Sequence, residues 1–332
     1  MTQAATPAIS PAGRYPVRVR LADELGVCAI DAEHTLAVIG FGNGPLPETS
    51  APCFGFRVPL AAIGEPAPLE IWETLAPVTD RGEQGRIRFA ATDELLFGVA
   101  QIDDPQGSDV AEHTRELYEE ILGFVAAREQ RHILRMWNYV RDINFGSGDE
   151  ERYRRFCVGR YEGFRTAFDE ESAYPAATAI GSKVERLHVS FICANSPGRT
   201  IENPRQVSAY RYPRQYGPRS PSFSRATFHA AGRGSSLFVS GTASVVGHET
   251  LHRDTVRAQM KETAINLQAM HEAGGGGLEL QKLRVYLRDA ADRDCVREEL
   301  ERYPAINGPA VYLLGDICRA DLLLEIEAFY GN

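Results

Sequence analysis

The chain has 332 residues, 43% of them hydrophobic and 24% charged, the balance of an ordinary globular protein and long enough for two domains. Lys plus Arg number 36 against 45 for Asp plus Glu, and this formal charge of −9 argues against non-specific nucleic-acid binding. No apolar run approaches the ~20 residues that span a bilayer, and MTQAATPAISPAGRYPVRVR lacks the apolar core of a secretory signal, so neither a membrane protein nor a secreted one is expected.

An internal repeat organises the predicted elements. Residues 35–41 (TLAVIGF) predict a strand that ends in Gly-rich sequence. Residues 108–127 predict a helix with Ser108 as N-cap before Asp109, and 132–141 (HILRMWNYVR) a strand. A long insertion follows residue 144 and includes a helix at 149–168; strands are then expected at 186–194 and 205–212. Pro and Gly cluster at 213–221, which marks the seam between copies. In the second copy, 235–246 predicts a strand and 250–272 a helix. Val256, Met260, Ile265, Leu267 and Met270 lie near helical spacing there, and Gly274–Gly277 stop it. A strand at 281–289, a helix at 292–302 and strands at 309–314 and 321–330 complete the chain. On this alignment 132–141 matches 281–289, 186–194 matches 309–314, and 205–212 matches the last strand. The alternation favours an α/β or α+β sheet protein.

Several motifs bear on chemistry. The six cysteines (Cys28, Cys53, Cys157, Cys193, Cys295, Cys318) include no CxxC pair, which predicts free thiols in the cytoplasm. HETLH at 248–252 matches the zinc pattern HExxH, which needs all five positions in one helix. Gly247 precedes it, and Thr250 reads as an N-cap that leaves His248 outside the helix, so a loop-to-helix junction is expected. GFGNGP at 40–45 runs into Pro45 and Pro47, which suits a turn better than a dinucleotide loop opening a helix. Residues 199–225 hold six arginines against one acid, Glu202, and interleave them with Tyr210, Tyr212, Tyr216 and Phe223. That cluster suits a flat carboxylate, or else a solvated linker. Glu325 and Glu327 sit two apart in LLLEIEAF and so share one strand face. A carboxyl buried there would have a raised pKa suited to a general acid; a wet outer face is the plainer alternative.

Five blocks together resemble the chorismatases, a doubled branch of the Rid/YjgF superfamily: MWNYVRDIN (136–144), ERYRRFCVGRYEGF (151–164), YPAATAIGS (174–182), the long run at 203–226, and SGTASVVGHE (240–249). The resemblance implies an α+β fold of two fused Rid/YjgF-like (chorismate mutase-like) domains, with mixed sheets, packed helices and a pseudo-trimer arrangement. Residues 1–215 would be a degenerate N-terminal domain with a helical insertion near 145–175. Residues 216–332 would be the domain carrying the catalytic glutamate. It further implies a cofactor-independent enzyme, without metal, that takes chorismate and releases pyruvate, working in the cytoplasm as a monomer with an internal pseudo-trimer remnant. Glu325 matches the family's general acid. Cys318 matches the cysteine of the 3-hydroxybenzoate-forming type. Ala243 lies at or beside the second product-determining position and resembles the hydrolytic type. Arg160, Tyr212, Tyr216, Arg219, Arg225, Gly241 and Thr242 are the expected substrate-binding residues. Ala310 stands where the superfamily's imine deaminases carry an arginine, which argues against imine hydrolysis. The alternatives are a hydrolytic chorismatase, giving a dihydroxycyclohexadiene carboxylate, and a non-catalytic Rid-like metabolite-binding protein.

Overall fold

Most strands of this chain bury both faces, because each sheet packs outward on other elements and inward on the other sheets. The computed structural model describes residues 14–23, 30–49, 52–64, 68–165, 167–168, 173–232 and 234–332. β1 (Val17–Ala22), β2 (Thr35–Phe41), β3 (Gly55–Val58) and β4 (Leu69–Thr74) form a first sheet in the order β1-β4-β2-β3. The next stretch holds β5 (Asp80–Gln84), β6 (Ile87–Ala91), β7 (Leu95–Asp103), α1 (Val110–Ala126), β8 (His132–Arg141), α2 (Arg152–Phe164), β9 (Ala176–Ser182) and β10 (Arg186–Ala194). The last holds β11 (Arg199–Ile201), β12 (Ala226–Ala231), β13 (Gly234–Thr242), β14 (Val245–Val246), β15 (Glu249–Thr250), α3 (Val256–Ala273), β16 (Glu279–Leu287), α4 (Arg293–Leu300), β17 (Ala310–Leu314), β18 (Asp316–Ile317) and β19 (Leu324–Gly331).

The second and third sheets share one topology: β9-β8-β10-β7-β6 in one, β17-β16-β19-β13-β12 in the other. In each, the strand pair bridged by a helix is parallel (β8 with β9, β16 with β17) and the other neighbours are antiparallel. β18 crosses back to pair with β9, so the second copy closes the edge of the first. The mixed sheets with helices packed on them are α+β, as expected.

Period-two alternation decides which core each strand serves. On β19, Leu324, Ile326 and Ala328 pack with Met260, Leu267 and Val296 beneath α3 and α4. Phe329 turns the other way, into a core that all three sheets share with Trp72, Phe97, Trp137 and Phe238. α1 buries Leu117, Tyr118, Ile121, Phe124 and Val125 at helical spacing under the second sheet. α2 crosses α1 at Gly159, where any β-carbon would meet the Ala111 backbone.

The repeat is present, but its alignment needs correction. The counterpart of β13 is β7, not 35–41, which lies in the separate first sheet. β10 (186–194) matches β19 rather than 309–314, whose counterpart is β9. The helix expected at 149–168 is not an insertion; α2 occupies the place of α4. Residues 205–212 form no strand. Pro204 and Pro213 bracket them, proline cannot donate to a ladder, and short 3-10 turns form at Ala209–Arg211 and Arg214–Tyr216 instead. The cap of α1 is Asp109, whose carboxylate accepts from Ala111 N–H, while the Ser108 hydroxyl donates to Asp104. Thr250 caps nothing: it pairs in the β14–β15 hairpin, and α3 begins at Val256.

Candidate active site

β19 carries Glu325 to the floor of a cavity of about 440 Å³. α2 supplies Tyr153 and Arg154, the 206–225 segment supplies Tyr212, Tyr216, Phe223 and Arg225, β13 and its continuation supply Gly241 and Ala243, and the turn before β19 supplies Cys318 and Arg319. A smaller recess of about 30 Å³ adjoins it at Glu325, lined by Tyr153, Arg160, Thr178, Phe223, Gly241 and Cys318 among others.

The backbone makes this room with a β-bulge. Val239 pairs with Ala328 and Thr242 with Ile326, so β13 carries one residue more than β19 across that interval. Gly241 N–H leaves the ladder and donates to Thr178 Oγ1 at 2.9 Å. A β-carbon on Gly241 would overlap the Glu325 carboxyl. Bulges next to active sites re-aim side chains in this way.

The two glutamates of β19 have opposite environments. Burial, with the Glu327 charge second, pushes the Glu325 carboxyl up to about 8, against the pull of Arg135, Arg225 and Arg319. Glu327 is buried too, but Arg135 and then Arg284 and Lys282 outweigh that burial and hold it below the usual carboxylate range. Trp137 Nε1 donates to Glu327 at 2.7 Å, Arg135 at 2.8 Å, and Thr178 and the Tyr286 hydroxyl each at 3.0 Å. At neutral pH the cavity therefore faces a neutral carboxylic acid, the form that can deliver a proton. Burial, then Glu325, pushes the Cys318 thiol up to about 12. It is a neutral thiol that shapes the wall, not a thiolate nucleophile.

Cations and phenols ring the opening. Arg225 donates to the Tyr212 hydroxyl at 2.6 Å, and the Tyr216 hydroxyl lies 3.1 Å from His248 Nδ1. Arg319 stacks over Tyr216 at 4.1 Å and donates to the His248 carbonyl. Arg160 is buried in the recess among Tyr118, Phe156 and Phe164, with Nε and one Nη bonded to no protein group. Buried, unspent guanidinium N–H groups are costly unless an anion meets them.

Of the residues expected from sequence, Glu325, Cys318, Ala243, Gly241, Tyr212, Tyr216 and Arg225 line the main cavity, and Arg160 lines the recess. Two do not. Arg219 stacks on Tyr161 at 4.1 Å in a separate surface dent, and the Thr242 hydroxyl turns back to the Ser240 carbonyl. Sequence reasoning missed Arg319, Tyr153 and Thr178. The signal for Arg319 was its place beside Cys318 in the turn that opens β19. Of the HETLH histidines, His248 falls in the turn that joins β14 to β15 and His252 in the loop after β15, where it has φ 56°, so they form no helical pair. GFGNGP is a turn with Gly42 and Gly44 at positive φ. Cys53, Cys157, Cys193, Cys295 and Cys318 are free thiols; Cys28 lies outside the described residues. Among the described residues, no helix is long and apolar enough to cross a membrane.

Comparison with known proteins decides the family. Residues 70–193 match the family model described as "Chorismatase FkbO/Hyg5-like, N-terminal". A protein named 3-hydroxybenzoate synthase from Streptomyces hygroscopicus is 38% identical over 274 residues, covering 78% of this chain and 80% of its own. The chain belongs to the chorismatase family. A second relative, named chorismatase, from Streptomyces rapamycinicus is 36% identical over the same shares of the two chains. The crystal structure of a chorismatase superposes with a TM-score of 0.83 at 28% identity, covering 97% of this chain and 100% of that one. The chain is thus an enzyme of the chorismatase type, and the cavity around Glu325 is its candidate active site.

Proposed function

We propose that the enzyme converts chorismate to 3-hydroxybenzoate and pyruvate. The observation that carries this reading is a carboxyl with a pKa near 8 on the floor of a cavity ringed by arginines and tyrosines. Chorismate is a dianion with a flat diene ring, and such a rim suits its carboxylates. Glu325 protonates the methylene carbon of the enolpyruvyl ether, which gives an oxocarbenium-like centre. The ring hydroxyl then displaces the activated side chain, losing its own proton, and the side chain leaves as pyruvate. The epoxide-like ring that remains opens to the aromatic product. No water is consumed, and the atoms of chorismate equal those of the two products.

Cys318 beside Glu325 favours this branch, since it matches the 3-hydroxybenzoate-forming type. Ala243 on the same wall favours the hydrolytic alternative, in which water traps the cationic carbon. Arg225, Arg319 and Arg160 are the proposed carboxylate partners; Arg219 lines a separate dent and not this cavity. We place the reaction in the cytoplasm, and we expect a monomer, because one chain supplies all three sheets around the shared core. Light scattering tests the monomer.

The deciding experiment incubates the purified protein with chorismate and resolves the products by chromatography. Pyruvate with 3-hydroxybenzoate is expected. Pyruvate with a non-aromatic diene would replace the branch, and no pyruvate would overturn the reading.

A further inference from the structure

Glu325 and Glu327 share one face of β19, about 7 Å apart along the strand at the usual rise per residue. Only Glu325 opens on the cavity. Glu327 lies behind it, and its two oxygens are taken by donors from three strands: Arg135 and Trp137 of β8, Thr178 of β9, and Tyr286 of β16. Arg284 adds an ion pair at 3.6 Å and is itself clamped by Glu70 of β4, at 2.6 Å. Every one of these groups is buried. Glu327 can therefore neither swing away nor take up a proton without leaving the buried Arg135 without its carboxylate partner.

We propose that Glu327 is a positioning residue for the reaction: it touches no substrate, and its locked negative charge keeps the neighbouring Glu325 protonated. The role assigned to that proton rests on the chorismate reading above; the charge relationship does not. The groups facing Glu325 come from every side. Tyr286 is its cross-strand partner on β16, Tyr153 and Arg160 come from α2, Arg135 from β8, Arg225 from the segment before β12, and Cys318 and Arg319 from the turn before β19. Arg135, Arg225 and Arg319 favour the ionised form. Burial comes first among the opposing influences, and Glu327 is the one opposing charge on the same strand face. An ordinary glutamic acid would be protonated in roughly one molecule in several hundred at pH 7. Protonating carbon at that pH needs far more, and burial together with a fixed anion next door supplies the difference without blocking the cavity.

The test reads Glu325 itself, in the substrate-free protein. The carboxylic acid C=O infrared band that vanishes in Glu325→Gln is titrated in Glu327→Gln, Glu327→Asp and Arg135→Gln, with the pH profile of kcat measured alongside. Glu327→Gln should move the midpoint down by about one to two pH units, the size of a close like-charge effect, and shift the alkaline limb of kcat with it while KM changes little. Glu327→Asp should restore both. Arg135→Gln should move the midpoint up, because it removes Arg135's own pull on Glu325 and also uncovers the Glu327 charge while Arg284 still holds it. If Glu327→Gln does not fold, the double variant Glu327→Gln/Arg135→Gln, which removes the buried pair together, carries the test: its midpoint should lie below that of Arg135→Gln alone. An unchanged midpoint in folded Glu327→Gln, or no upward shift in Arg135→Gln, overturns the proposal. Midpoints that shift as expected in a protein that releases no pyruvate from chorismate would support the charge relationship and sink the reaction assigned to it.

Discussion

Gly241 stands so close to Glu325 that a β-carbon on it would occupy the space of the Glu325 carboxyl. The bulge in β13 and the hydrogen bond from Gly241 N–H to Thr178 hold the backbone in that place. Gly241→Ala should therefore displace the acid without touching the hydrophobic cores. A displacement of about 1 Å costs about 100-fold in rate. Pyruvate release should fall by that order while the melting temperature changes little. Wild-type turnover would show that the carboxyl has other room.

Turnover should fall as pH rises through about 8, because the reacting form of Glu325 is the protonated one. Glu325→Gln should keep the fold and lose about 100- to 10,000-fold in kcat, the usual worth of a general acid. Stability follows the same group. Its folded pKa lies above the unfolded value of 4.5, so the unfolded chain gives up its proton first as pH rises. Stability should decline between pH 4.5 and about 8 by this contribution, and the decline should be smaller in Glu325→Gln. Denaturant midpoints across that range check the sign.

Arg319 stacks on Tyr216 and faces the cavity with its charge. Arg319→Met keeps much of the stacking surface and removes the charge. The Michaelis constant for chorismate should rise about tenfold or more, the worth of a charged hydrogen bond. Arg319 also favours ionised Glu325, so the alkaline limb should move up. An unchanged Michaelis constant would leave Arg225 and Arg160 as the binding cations.

Cys318 is a neutral thiol against Glu325. Cys318→Ala removes a sulfur from the wall and leaves room for water beside the reacting carbon. The product should shift from 3-hydroxybenzoate toward the dihydroxy diene, as chromatography would show. An unchanged product ratio would leave Cys318 no part in the choice of branch.

Glu70 links the first sheet to the third through Lys282 at 2.7 Å and Arg284 at 2.6 Å. Burial acts to raise its pKa, but these two cations overcome it and hold the carboxyl near 2. Glu70→Gln leaves both cations buried with one partner fewer and should cost about 3–5 kcal/mol of unfolding free energy. Because the folded pKa is depressed, this contribution is present above pH 4.5 and is lost as pH falls toward 2. Acid unfolding at a higher pH than this predicts would point to another carboxylate.

Much of the site was legible because short-range periodicity is physical. Two residues apart on a strand means one face, so Glu325 and Glu327 could be paired on sight. A turn next to a strand end brings Cys318 close to Glu325 whatever the fold. Arg319 was missed because sequence does not say which way a turn residue points. Arg219 was misplaced because an arginine in a loop of eight or more residues can serve either side of it. The strand expected at 205–212 was misread because the repeat alignment set it against the last strand, while the flanking prolines deny it a ladder.

The sequence by itself determined the α+β class, the repeat, the helical and strand faces and the family, since all of these rest on local spacing or on residue identity. Tertiary structure alone decided that the face of β19 bearing two glutamates is dry, and that one acid is ion-paired while the other is not. Glu70, Arg135 and the Lys282 and Arg284 pair on β16 lie scores to hundreds of residues from one another along the chain. Only the closing of three sheets on one core brings them to Glu327, and the proton on Glu325 depends on that closure.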